Sequence, residues 1–179
     1  HFTHIDYHQH ILVLYTPFYR NALALAKKYD VPLRQPVPAS LTGAMRFPSK
    51  AKRDALRTMV LFGLRHPITG ARLLRHMTPA AVRRQGKLLQ AQQLHAPELF
   101  IDGYFRHATV DIAMLRQLPV GISEVAVHPA IVDDGLRNYG GAYIDERADE
   151  LAVVLDPRVR AAVSEEDIQL ASFRVLSGR

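Results

Sequence analysis

Alternation opens the chain: in "THIDYHQH", Ile5 and Tyr7 take odd positions while His4, Asp6, His8 and His10 take even ones. A period of two is the signature of a strand, and with Ile11, Val13 and Leu14 following, it predicts a first strand ending near residue 14 with the three histidines and Asp6 on one face. Thr16 before Pro17 has the form of a helix N-cap and a first-turn proline. Phe18, Ala22, Leu25 and Tyr29 then form the inner stripe of a helix through "PFYRNALALAKKYD". "VPLRQP" reads as a short, proline-bounded second strand with Arg34 towards its end, "LFIDGYF" as a third, "VDIAMLRQL" as a helix, and "GISEVAVHP" as a fourth strand closing on His128 and Pro129. Downstream, Asp145 caps a helix with inner stripe Ala148, Leu151, Val154 and Leu155. A short helix after Pro157 and a last strand at "IQLASF" complete the pattern. Strands alternating with helices predict an α/β fold built on a mainly parallel sheet or barrel.

Composition narrows this further. A chain of 179 residues, 48% hydrophobic and 22% charged, has the balance of one folded domain rather than a disordered segment. No apolar run approaches the 18 or so residues of a membrane span, and no signal-peptide pattern opens the chain. Cysteine is absent, so a metal would have to be held by histidine, carboxylate and water; a cytoplasmic setting is compatible with this. Between residues 46 and 92 stand eleven of the 23 Lys and Arg residues but one of the 17 acids, Asp54. The net charge of +6 therefore hides a basic segment beside an acidic remainder. Two or three basic helices, broken near Pro67 and Pro79, are expected there. Phosphate binding is one use for such a segment, but its only aromatic residues are Phe47 and Phe62, so a solvated helical face or lid is favoured over a nucleic-acid surface.

The candidate chemistry sits where strands are expected to end. In parallel α/β sheets the reactive groups gather at the C-terminal ends of strands; His8 and His10 close the first strand, and His128 closes the fourth. Two readings of the histidines fit the local pattern. They hold a divalent cation, with Asp6 ligating it or fixing a ring, or they are hydrogen-bonded residues at a strand end. For His128, a packed histidine beside Pro129 competes with a catalytic role. Asp133 and Asp134 read as a turn before Gly135, and Arg34, Arg147 and Glu150 as surface charges or ion pairs by default.

Three ordered blocks carry a resemblance. "THIDYHQHILVLYTPFYRNALALAKKYDVPLRQP", "GISEVAVHPAIVDDGL" and "ERADELAVVLDPRVRAAVSEEDIQLASFRVL" resemble segments of the YdjC/ChbG-like carbohydrate deacetylase family. They cover most of the chain outside residues 40 to 97. The resemblance implies the C-terminal part of an irregular (β/α) barrel of the polysaccharide-deacetylase type, a single partial domain over residues 1–179 with a basic helical insertion at about 46–92. It also implies a metal-dependent hydrolase that removes acetyl groups from N-acetylated sugars, using magnesium or zinc. On the matching positions His8 is the metal ligand and His128 the general acid, while Asp6, His10 and Arg34 border the substrate. Tyr7 replaces the family's serine, Val127 its cysteine and Ala130 its glycine, which bears on substrate fit. The family's opening "NADDFG" strand and a second histidine ligand are not in this sequence, so residues are expected to precede His1, and the chain alone is expected to be poorly active. A non-catalytic carbohydrate-binding protein on the same fold, or nucleic-acid binding through the basic helices, are the alternatives; a homo-oligomer is compatible with either.

Overall fold

β1 (Leu99–Ile101) and β2 (Ser123–Val125) run parallel, with Leu99 opposite Ser123, Phe100 opposite Glu124 and Ile101 opposite Val125. The structure is a computed structural model that describes residues 2–8, 11–42, 57, 60–74, 78–101, 112–139 and 144–177. Two parallel bridges widen the sheet: Ile5 pairs with Leu33, and Pro38 with Phe100. Leu33 N–H also donates to His95 C=O at 2.9 Å. Four extended segments thus lie side by side in chain order, joined by helices, which is the connection that parallel neighbours require. The α/β reading holds at this level.

β1 is buried on both faces, as a strand inside a parallel sheet should be. Phe100 points into one apolar cluster with Tyr7, Val13, Tyr19, Leu23 and Leu33, while its neighbours Leu99 and Ile101 enter a second with Met114, Leu115 and Ala162. The first cluster is closed by two helices, Thr16–Tyr29 and Pro79–Ala91. Gln85 joins them: its Nε2 donates to Val13 C=O at 3.3 Å and to Thr16 Oγ1 at 3.0 Å, so the amide nitrogen is buried with partners, while Oε1 is buried without one among the described residues.

Several elements differ from expectation, each for a local reason. The first extended segment is a single bridge at Ile5, and Ile11–Leu14 is a helical turn. A run of four apolar residues carries no period of its own, and here the turn buries Val13. The Thr16–Tyr29 helix has Tyr15 rather than Thr16 in the cap position, and it buries Tyr19, Ala22, Leu23 and Ala26. The expected stripe was therefore rotated by about one residue. Phe18 and Leu25 instead line a shallow apolar hollow with Ile5, Leu12, Asn21 and Ala22. At the other end Asp30 adopts the left-handed conformation (φ 52°), and its N–H reaches back to Ala26 and Lys27 carbonyls.

The basic segment is helical where described: residues 60–65, then Pro67–Leu74 and Pro79–Ala91, with the expected proline breaks. Its last helix belongs to the core through Val82 and Leu89 while Arg83, Arg84 and Lys87 stay exposed. The third-strand expectation is met over Leu99–Ile101, and residues 102–105 of "LFIDGYF" lie outside the described residues. The Ile144–Leu155 helix begins before Asp145 and buries Glu150; Val154 and Leu155, placed inside by the sequence pattern, are exposed. "IQLASF" forms no strand, and the chain closes in a 3-10 turn at Phe173–Leu176. Among the described residues no helix is long and apolar enough to cross a membrane.

The rotated stripe has a measurable consequence. Leu23→Ala, which empties a site 5% exposed, should cost about 2–5 kcal/mol, whereas Leu25→Ala, 46% exposed, should cost less than half as much. Urea denaturation midpoints of the two variants decide between the registers.

Candidate active site

The parallel order brings the predicted chemistry to one end of the sheet. His8 follows the bridge at Ile5 by three residues, Arg34 follows the bridge at Leu33 directly, and His128 follows the end of β2 by three. These are all C-terminal ends, where side chains from different segments can meet.

Arg34 is the tie between them. Its side chain, 15% exposed, meets Glu124 of β2 through Nε at 2.7 Å and Nη2 at 2.6 Å. Nη1 donates to Tyr7 C=O at 3.0 Å, and Nη2 lies 3.5 Å from Asp6 Oδ2. To reach Glu124 from the second segment the guanidinium passes across β1, lying over the Phe100 ring at 4.8 Å from its centroid and 5.3 Å from that of Tyr7. Tyr7 is buried, and its hydroxyl donates to Gln35 C=O at 2.7 Å. Arg34 thus forms the ion pair that was its default reading, and one cation links the first, second and fourth segments.

His128 is half-buried in the stretch after β2. Its backbone N–H donates to Glu150 Oε2, and its C=O accepts from Arg147 Nη1 at 3.2 Å. Burial pulls the imidazole below its ordinary value of 6.5; the Glu150 carboxylate works in the opposite direction, while Arg147, His8 and Arg34 add to the lowering. His8 and Arg34 are therefore close enough to be felt at the His128 ring. By their sequence Glu150 and Arg147 read as surface charges or ion pairs by default. The available signal was their i, i+3 spacing, which puts both on one helix face, but nothing in the pattern marked that face as inward.

The remaining candidates divide. His8 and Asp6 are exposed, and His10 lies outside the described residues. His4 departs from the group: it stacks on Phe173 with ring centroids 3.9 Å apart, and its Nδ1 lies 3.0 Å from Thr3 Oγ1. Asp133 caps the Asp134–Tyr139 helix, accepting from Leu136 N–H at 2.8 Å. Among the described residues no three His, Asp or Glu side chains converge into a group able to hold a metal ion. His8 offers one imidazole, and Asp6 is shared with Arg34, so this set does not by itself fit a metal centre, which keeps three protein ligands even when open.

Comparison with known proteins follows the same residues. The model of the YdjC-like protein family matches residues 1–165. A carbohydrate deacetylase of Geobacillus stearothermophilus is 40% identical over 79 residues, covering 44% of this chain and 31% of that protein. A carbohydrate deacetylase of Listeria monocytogenes serotype 4b (strain F2365) is 25% identical over 101 residues, 54% of this chain and 41% of its own. The chain thus spans less than half the length of these relatives. A crystal structure from Enterococcus faecalis V583, named for cellobiose-phosphate cleavage, superimposes with a TM-score of 0.61 at 22% identity, covering 97% of this chain and 52% of that one. At that identity it speaks for the fold.

Two outcomes are expected. Arg34→Ala leaves the Glu124 carboxylate, 12% exposed on its side chain, without its cation and should cost about 3–5 kcal/mol by denaturant titration. The His128 imidazole should titrate below 6.5 by nuclear magnetic resonance. The unfolded chain then binds that proton at higher pH than the folded one, so stability falls as pH drops through 6.5 towards the folded value. His128→Gln should remove that part of the pH dependence.

Proposed function

This chain belongs to the YdjC-like protein family, and from that premise we propose that it acts in a carbohydrate deacetylase, a hydrolase that removes acetyl groups from N-acetylated sugars or oligosaccharides. The observation that carries the reading is the placement of His8, Arg34 and His128 just beyond the C-terminal ends of parallel segments. The deacetylase names of the Geobacillus and Listeria relatives support the choice of substrate class. The irregular barrel of the polysaccharide-deacetylase type belongs to the same proposal, supported by the four parallel segments in chain order.

Hydrolysis of an acetamido group adds a water oxygen to the carbonyl carbon, breaks the carbon–nitrogen bond, and delivers a proton to the departing amine. In this proposal His128 is the proton donor. An imidazolium whose pKa is lowered by burial gives up its proton more readily, and the opposing Glu150 carboxylate favours the protonated form. Asp6, held by Arg34, and His10 border the sugar. A divalent cation, magnesium or zinc, would take His8 as one ligand and would polarise the carbonyl and acidify water. Because the described residues do not complete its coordination, every role assigned here rests on the side chains alone.

The test is acetate release from N,N′-diacetylchitobiose by the complete reading frame that contains this chain, stripped with chelator and resupplied with magnesium or zinc. Release is expected, with His128→Ala lowering kcat by about 10²–10⁴-fold. A folded protein that binds the sugar but releases no acetate with either metal would replace this reading by a carbohydrate-binding one.

A further inference from the structure

The helix Ile144–Leu155 grips the backbone around His128 on both sides. Glu150, 5% exposed, accepts the His128 N–H through Oε2. Arg147, one turn earlier, donates from Nη1 to the His128 carbonyl at 3.2 Å, and its own carbonyl accepts the N–H of Ala130 at 3.2 Å. Between these lies Pro129, which has no N–H. Both N–H groups of the stretch 128–130 are therefore taken by a single helical turn. A carboxylate this buried is costly unless strongly bonded, and an apolar residue would serve a merely packed helix face better.

We propose that Glu150 is a positioning residue for His128: by holding the backbone N–H from a rigid helix, with Arg147 on the carbonyl side, it fixes where the imidazole stands relative to the strand end that bears His8. The inference rests on the proposed role of His128 as proton donor and adds the device that aims it. Among the described residues, four charged or titratable groups act on that ring: Glu150 and Arg147 from the helix, His8 from the first segment and Arg34 from the second. Glu150 and Arg147 have opposite effects on its proton affinity, so their shared consequence is placement. A displaced donor loses rate steeply, since a misplacement of about 1 Å can cost on the order of 10²-fold.

The experiment combines amide hydrogen exchange with kinetics on the complete protein. In the wild type the His128 amide should be protected. Glu150→Gln keeps an acceptor oxygen and should keep both that protection and kcat within about fivefold, whereas Glu150→Ala should lose the protection and about 10²-fold in kcat with KM little changed. The loss should vanish when Glu150→Ala is added to His128→Ala, because the two residues then act through one group. Should Glu150→Ala fail to fold, Glu150→Asp, whose acceptor is withdrawn by one methylene, replaces it in the same cycle. An equal loss in the His128→Ala background, or full activity with an unprotected amide, would overturn the proposal. Absence of acetate release from the wild type would instead overturn the deacetylase reading, while the exchange data would still report whether Glu150 holds the amide.

Discussion

The arrangement depends on one half-buried cation. Arg34 is 15% exposed on its side chain and is stabilised there by the Glu124 carboxylate, the Tyr7 carbonyl and the faces of Phe100 and Tyr7. Arginine suits this place better than lysine, because a planar fork can address a carboxylate with two nitrogens while lying flat on an aromatic ring. Glu124 depends on it in turn: its Oε2 is buried and finds no hydrogen-bond partner among the described residues. The pair crosses β1 from one neighbouring segment to the other, and so sets the relative height of the segments that end in His8 and His128.

The site follows from that alignment together with a second one. Arg34 fixes the strands, and the Ile144–Leu155 helix fixes the stretch beyond β2. Neither acts through the His128 ring itself. Such a division leaves the imidazole half-buried, where burial lowers its proton affinity.

Legibility in the sequence varied with the kind of signal. β1 and β2 were found because each is an apolar or alternating run bounded by glycine or proline, and the helix after Thr16 because Pro17 marks its start. The face of that helix was misread: Tyr19, Ala22, Leu23 and Ala26 pack inward while Phe18 and Leu25, equally apolar, lie outside, so with large apolar residues on both faces the pattern left the direction open by about one residue. The short runs at Ile11–Leu14 and "IQLASF" gave no period to separate strand from turn. Within the site, His8, His128 and Arg34 stood out by residue type at strand ends. Glu150 and Arg147 did not, since a charged pair on a helix is normally solvated and only tertiary packing turned this one inward.

The two-sided burial of β1 has a consequence for motion. A strand whose alternate side chains anchor separate apolar clusters can open only if both clusters loosen together, and so it belongs with the last parts of a domain to unfold locally. Arg34 rides across that strand on the Phe100 ring. The strand ends that carry Arg34 and lead to His128 are therefore mounted on the part of the fold whose opening requires the most apolar contact to be given up.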